Sequence, residues 1–165
     1  MSVPAPATPG RPYVAVVGPA DATESDTLAA YAVGAGLAAR GAVVVCGGMG
    51  GVMAAVAAGA RSAGGTCVGL LPGASREGAS PDLTVALPTG LGEVRNALVV
   101  RAADAVVAIG GSWGTLSEIA LAVRSGRRVV AVAGWQVVDA TGSPVTGLTY
   151  VASPAEAIEA VLAVP

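Results

Sequence analysis

Histidine, lysine and phenylalanine are all missing from this 165-residue chain. Each absence excludes chemistry. Without lysine there is no Walker-type phosphate loop and no Schiff base for pyridoxal phosphate. Without histidine, His-based triads and His-ligated zinc sites fall away. Any catalysis must rest on Asp, Glu, Arg, Ser, Thr, Tyr, Cys or backbone groups. With no Phe, three Tyr and two Trp, the core must come from Val, Ala, Leu and Ile. That suits helices laid on a fully buried parallel sheet.

Charge is also scarce. Charged residues make up 12% of the chain and hydrophobic ones 53%, a balance that favours a packed core over disorder. The net charge of −2 and pI near 5.0 lack the basic footprint of a nucleic-acid binder. Cys46 and Cys67 each lie in an apolar run and read as buried, reduced thiols. Two such cysteines make neither a disulfide framework nor a metal site, so no metal is expected. No secretory leader and no apolar run of about 18 residues is found. The expectation is a cytoplasmic protein that meets no membrane.

Residues 1–11 are Pro-rich and read as a flexible tail, leaving 12–165 as a single domain. Strands and helices then alternate. Apolar strands are expected at 14–17, 42–46, 66–71, 83–87, 105–109 and 128–133. Helices are expected at 21–40, 52–63, 91–102 and 116–124, with 135–150 as a turn-rich connection. Ser153, Pro154 and Glu156 open a last helix with an N-cap, a first-position Pro and a capping-box Glu. This alternation predicts a doubly wound, mostly parallel Rossmann-like α/β sheet with helices on both faces. In such sheets ligands bind beyond the carboxyl ends of the strands, where strand order reverses. Three glycine-rich turns sit at such ends: at Gly18, at 47–51 and at 110–114.

Residues 104–118, DAVVAIGGSWGTLSE, are the most informative stretch. They read as a buried strand, a glycine turn and a helix opening at Thr115. A helix N-terminus with glycines before it suits a phosphate or another anion. Ser112 and Thr115 offer hydroxyls to that anion, or serve only as caps. Trp113 either stacks on a base or lies on the surface. Glu118 has two readings: it faces the ligand, or it closes a capping box on Thr115. Arg95 suits phosphate or carboxylate, or makes ordinary surface ion pairs. The 47–51 turn is not a dinucleotide fingerprint, because the pattern Gly48, Gly50 places Met53 where glycine or alanine is needed. It either admits a ligand to the backbone or permits tight packing.

Together these residues resemble the LOG family of nucleoside 5′-monophosphate phosphoribohydrolases. Gly110–Glu118 is similar to that family's P-G-G-x-G-T-x-x-E signature. Gly47-Gly48-Met49-Gly50-Gly51-Val52-Met53 resembles its G-G-G-x-x-G-L-M turn, and Arg95 followed by Asp104 falls on its R-K…D segment. The resemblance spans roughly residues 13–133. Gly110, Ser112, Cys46 and Asn96 depart from the signatures, toward a sister branch that includes molybdenum-cofactor carrier proteins. That group is also distantly related to the DNA-processing protein A fold.

The resemblance implies two activities. One is hydrolysis of the N-glycosidic bond of a nucleoside 5′-monophosphate, giving free base and ribose 5-phosphate. The alternative is a non-catalytic carrier of molybdenum cofactor, a phosphorylated pterin, or of another nucleotide. It carries over Arg95 and Glu118 as catalytic positions. Gly111, Ser112, Gly114 and Thr115 carry over as the phosphate turn. Gly18, Gly47, Gly48, Gly51, Met53 and Trp113 complete the candidate nucleotide site. No cofactor is required by this reading, and a homodimer or higher homo-oligomer is expected, with helix 52–63 as a packing face.

Overall fold

The computed structural model describes residues 10–163. The expected tail lies outside the described residues except for Gly10 and Arg11. The strands are β1 (Tyr13–Val17), β2 (Val43–Cys46), β3 (Thr66–Leu71), β4 (Val85–Pro88), β5 (Ala105–Ile109), β6 (Arg128–Val132) and β7 (Leu148–Val151). The helices are α1 (Glu24–Ala39), α2 (Val52–Ser62), α3 (Asn96–Arg101), α4 (Trp113–Arg124) and α5 (Pro154–Leu162). A 3-10 turn, Gly92–Arg95, leads into α3.

All seven strands form one sheet in the order β4-β3-β2-β1-β5-β6-β7. Every strand pair in it is parallel. The order reverses between β1 and β5, so the mouth beyond Val17 and Ile109 is the switch point where ligands bind in such folds. Side chains alternate across the sheet. Val14, Val16, Val44, Val107 and Ile109 face one core layer, with Val33, Leu37 and Val56. Ala15, Val17, Val45, Val106 and Ala108 face the other, with Val99, Val100 and Ile119. Burying each such Val or Leu stabilises by about 1.5–3 kcal/mol.

Helices α1, α2 and α5 cover the first face, and α3 with α4 the second. Glycines bring α1 and α2 together. A Cβ on Gly34 would stand 2.2 Å from the Val56 carbonyl oxygen, and one on Gly59 would stand 2.1 Å from that of Tyr31. The small-residue face of α2, read from the sequence as an oligomer contact, is therefore taken by α1 within the same chain.

Four sequence expectations shift. A seventh strand, β7, ends the connection read as turns, and pairs with β6 through Val129↔Leu148 to Val132↔Val151. Helix α1 starts at Glu24 rather than 21, because Thr23 and Asp26 form a reciprocal capping box. Strand β4 begins two residues later than expected. The helix expected over 91–102 is a 3-10 turn joined to a short α-helix, with Gly90 and Gly92 at positive φ before it.

Candidate functional site

Strand β5 ends at Ile109, and Gly110 turns the chain with φ of +67°. Proline, fixed near −65°, cannot adopt that angle, which explains why Gly110 stands where the resembling signature has Pro. A Cβ there would also press on the Asp26 carboxylate at 2.9 Å. Ser112 then takes extended backbone and caps α4: its hydroxyl accepts from the Thr115 N–H at 3.1 Å. The Ser112 and Thr115 hydroxyls also bond each other at 2.9 Å. Two hydroxyl hydrogens serve one mutual bond, so one remains to donate elsewhere. Among the described residues, the N–H groups of Trp113 and Gly114 have no protein partner, as expected in a helix's first turn.

The helix therefore opens at Trp113, two residues before the sequence expectation. This overturns the capping-box reading of Glu118. The Thr115 N–H already has Ser112, and Glu118 lies one turn further on. Glu118 is 7% exposed and reaches a cleft of about 130 Å³ at the switch point. Val16, Val17, Gly18, Pro19 and Ala20 form one wall. Ser112, Gly114 and Thr115 form another, and Gly47, Met53, Arg95 and Asn96 complete it.

Arg95 is the other charged group in the cleft. It is 8% exposed, and its Nε is buried with no hydrogen-bond partner. Among the described residues, ion pairs join only Arg40 to Glu159 and Arg61 to Asp82. The surface ion-pair reading of Arg95 therefore fails. Burial holds its guanidinium below the ordinary range, while Glu118 and Cys46 pull it back up. Burial likewise pushes the Glu118 carboxyl up to about 7, against the lowering pull of Arg95. A cation without a partner, at a helix N-terminus with free donors, is an arrangement that favours an anion.

The cleft gathers eight of the twelve residues singled out from sequence: Gly18, Gly47, Met53, Arg95, Ser112, Gly114, Thr115 and Glu118. The other four lie elsewhere, each for a packing reason. A Cβ on Gly48 would meet Leu71 at 2.6 Å, and one on Gly51 the Pro19 carbonyl oxygen at 2.4 Å. One on Gly111 would meet the Trp135 ring at 2.6 Å. Trp113 stands outside, 79% exposed, edge-on to Trp135 with ring centroids 4.9 Å apart. Sequence reasoning missed Pro19, Ala20 and Asn96 as lining residues. Their signal was position: two follow Gly18 at the β1 end, and Asn96 follows Arg95.

A parallel seven-stranded sheet with an anion-favouring cleft at its switch point defines a Rossmann-like α/β protein. The chain belongs to the SLOG cluster4 family, whose model matches residues 11–158. An uncharacterized protein of Archaeoglobus fulgidus is 34% identical over 145 residues, covering 88% of this chain and 91% of that one. The molybdenum cofactor binding protein of the phototrophic bacterium Rippkaea orientalis superposes with a TM-score of 0.83. It is 32% identical, over 92% of this chain and 96% of that one. The molybdenum cofactor carrier protein of Chlamydomonas reinhardtii gives 0.82, also at 32% identity and the same coverages. DNA processing protein A of Helicobacter pylori shares the fold alone, at 19% identity and a TM-score of 0.68 over 91% of this chain and 80% of that one. The chain thus sits in the LOG-like superfamily, near the molybdenum-cofactor carrier branch. No described helix is long and apolar enough to cross a membrane.

Proposed function

We propose that this protein binds a phosphorylated pterin, of the molybdenum-cofactor kind, and carries it unchanged. The observation that carries this reading is the buried Arg95 guanidinium, which faces the cleft without a partner. A phosphate monoester in the cleft would supply the counter-charge that Arg95 lacks among the described residues. The free N–H group of Gly114 and the spare hydroxyl hydrogen of the Ser112–Thr115 pair, both in the cleft wall, would donate to the same group. Gly18 and Gly47 lie in the cleft wall, where a Cβ would meet Val52 at 2.6 Å and Arg95 Nη1 at 2.2 Å, so glycine there keeps the wall and the guanidinium in place. The two molybdenum-cofactor proteins match over nearly the whole chain, which supports cargo over turnover. The test is incubation with purified molybdopterin, gel filtration, and mass spectrometry of what stays bound. Stoichiometric pterin recovered intact is the expected result. No retention by folded protein would overturn the reading.

A second reading has its own observation. Glu118 titrates near neutrality inside the cleft, which is where a general acid or base works best. In that reading the phosphate site holds a nucleoside 5′-monophosphate. Glu118 activates water or stabilises the oxocarbenium-like transition state, and Arg95 positions the substrate. Chromatography of AMP, GMP and CMP incubations decides it: release of free base supports hydrolysis, and no release from any of them sinks it. On either reading the expected assembly is a homodimer or a higher homo-oligomer, which sedimentation measures directly.

A further inference from the structure

The inner cleft has room for a phosphate, but not for a phosphate together with a fused ring. At about 130 Å³ it falls below the roughly 300–1,000 Å³ of a whole small-molecule site. Asn96 and Gly114 line it and also line a second, wider groove of about 550 Å³ between the 3-10 turn with α3 and helix α4. The two spaces are therefore neighbours, with these two residues bordering both. Val94, Trp113 and Leu121 give the groove apolar walls, and Glu93 adds one carboxylate.

Trp113 and Val94 are 79% and 71% exposed, a costly pair to leave in water. Trp113 nonetheless has one aromatic neighbour. Its ring meets Trp135 edge to face at 77°, and Trp135 packs so close to Gly111 that a Cβ there would stand 2.6 Å from its ring. An indole at the lip of a groove offers an exposed face on which a ring can stack.

We infer that this groove receives the fused heterocycle of the ligand, with its face on Trp113 and its 2-amino-4-oxo edge toward Glu93. The inference rests on the phosphate end lying at Arg95. Pterins and guanine share that edge, which presents two N–H donors side by side. A carboxylate is acceptor-only and can take both. Adenine offers no such pair, so Glu93 makes the groove selective, while Trp113 supplies sequence-blind stacking.

The experiment titrates the full-length protein with GMP, AMP and ribose 5-phosphate by calorimetry, alongside sedimentation. GMP is expected to bind roughly tenfold or more tighter than ribose 5-phosphate. W113A should bring GMP down to the ribose 5-phosphate level and leave ribose 5-phosphate itself unchanged. W113F, which keeps a ring, should retain most of the gain. E93Q should erase the preference for GMP over AMP. If W113A binds GMP as the wild type does, the groove is not the ring site, although the Arg95 reading stands. If W113A changes the oligomeric state and not the affinity, the groove faces a second copy and the inference falls. If the wild type binds none of the three, the phosphate reading falls and the ring site falls with it.

Discussion

Arg95 and Glu118 line the same cleft, both buried, and make no ion pair. Opposite charges that share a pocket but do not touch leave two desolvated groups and a space between them. The consequence for Glu118 is a carboxyl raised from 4.5 to about 7, chiefly by burial. Between those values the folded protein holds a proton that the unfolded chain has lost. The contribution of this group to stability is therefore fully present below about pH 4.5, falls as pH rises through the window, and levels off above 7, by up to about 3 kcal/mol. Glu118→Gln removes the cost while keeping the shape. The variant should match the wild type near pH 4.5 and exceed it by about 1–3 kcal/mol at pH 8. Urea melts at both pH values measure the difference, and a wild type that is the more stable at pH 8 would refute it.

An anion in the cleft relieves Arg95 and burdens Glu118. Sulfate makes the clearer probe, since it keeps its charge from pH 6 to 8.5. It should raise the melting temperature of the wild type, as any ligand of the native state does, and do so more at pH 6, where Glu118 is protonated. Glu118→Gln should flatten that pH dependence. Arg95→Met should abolish the sulfate effect at every pH. It should also leave the sulfate-free protein at least as stable, because a buried charge without a partner is a cost. A sulfate shift that survives in Arg95→Met would place the anion somewhere else.

The sheet was largely legible from short Val- and Ala-rich runs separated by glycine turns, because strands buried on both faces need no alternation. Strand β7 was not: Leu-Thr-Tyr-Val is an edge strand inside a Gly-, Ser- and Thr-rich segment, where local composition favours turns. The start of α4 was misread for a related reason. Thr115 and Glu118 have capping-box spacing, but the positive φ at Gly110 delivers Ser112 to the cap first. That two-residue shift moves Glu118 from a structural role into the cleft wall. Arg95 was legible as a candidate, whereas its isolation depended on where Glu93 and Glu118 fall in space. Trp135, which sets the pose of Trp113, gave no signal beyond following Gly134 at the end of β6.

Gly47 tests whether the pose of Arg95 matters. A Cβ there would lie 2.2 Å from Arg95 Nη1 and 2.5 Å from Met53 Sδ. Both are ends of flexible side chains, and the Gly47 backbone is not in the left-handed region. Gly47→Ala should therefore fold with a loss of at most about 1 kcal/mol, while pushing the guanidinium out of register. Sulfate and ribose 5-phosphate should bind several-fold more weakly, on the order of fivefold or more, with the melting curve little changed. Unaltered binding would mean that the guanidinium need not rest on Gly47.

The last test concerns Cys46 and Cys67, whose sulfurs lie 3.8 Å apart beneath the cleft. Proximity invites a disulfide, but the register opposes it. Cys67 pairs with Val44, and Cys46 with Gly69. The cysteines are thus offset by two residues along neighbouring strands, which puts their Cα atoms roughly 8 Å apart. That exceeds the ~7 Å limit for bridging without backbone movement. Both thiols are fully buried, and the hydrogen bond to Cys46 together with burial holds the Cys67 thiol above its ordinary range. Neither should react with an aromatic disulfide reagent in the native state, and both should react once unfolded. Mild oxidation with hydrogen peroxide or diamide should leave the intact mass free of the two-hydrogen loss. A native protein that loses both hydrogens would show that β2 and β3 can slip enough to bring the two sulfurs into bonding geometry.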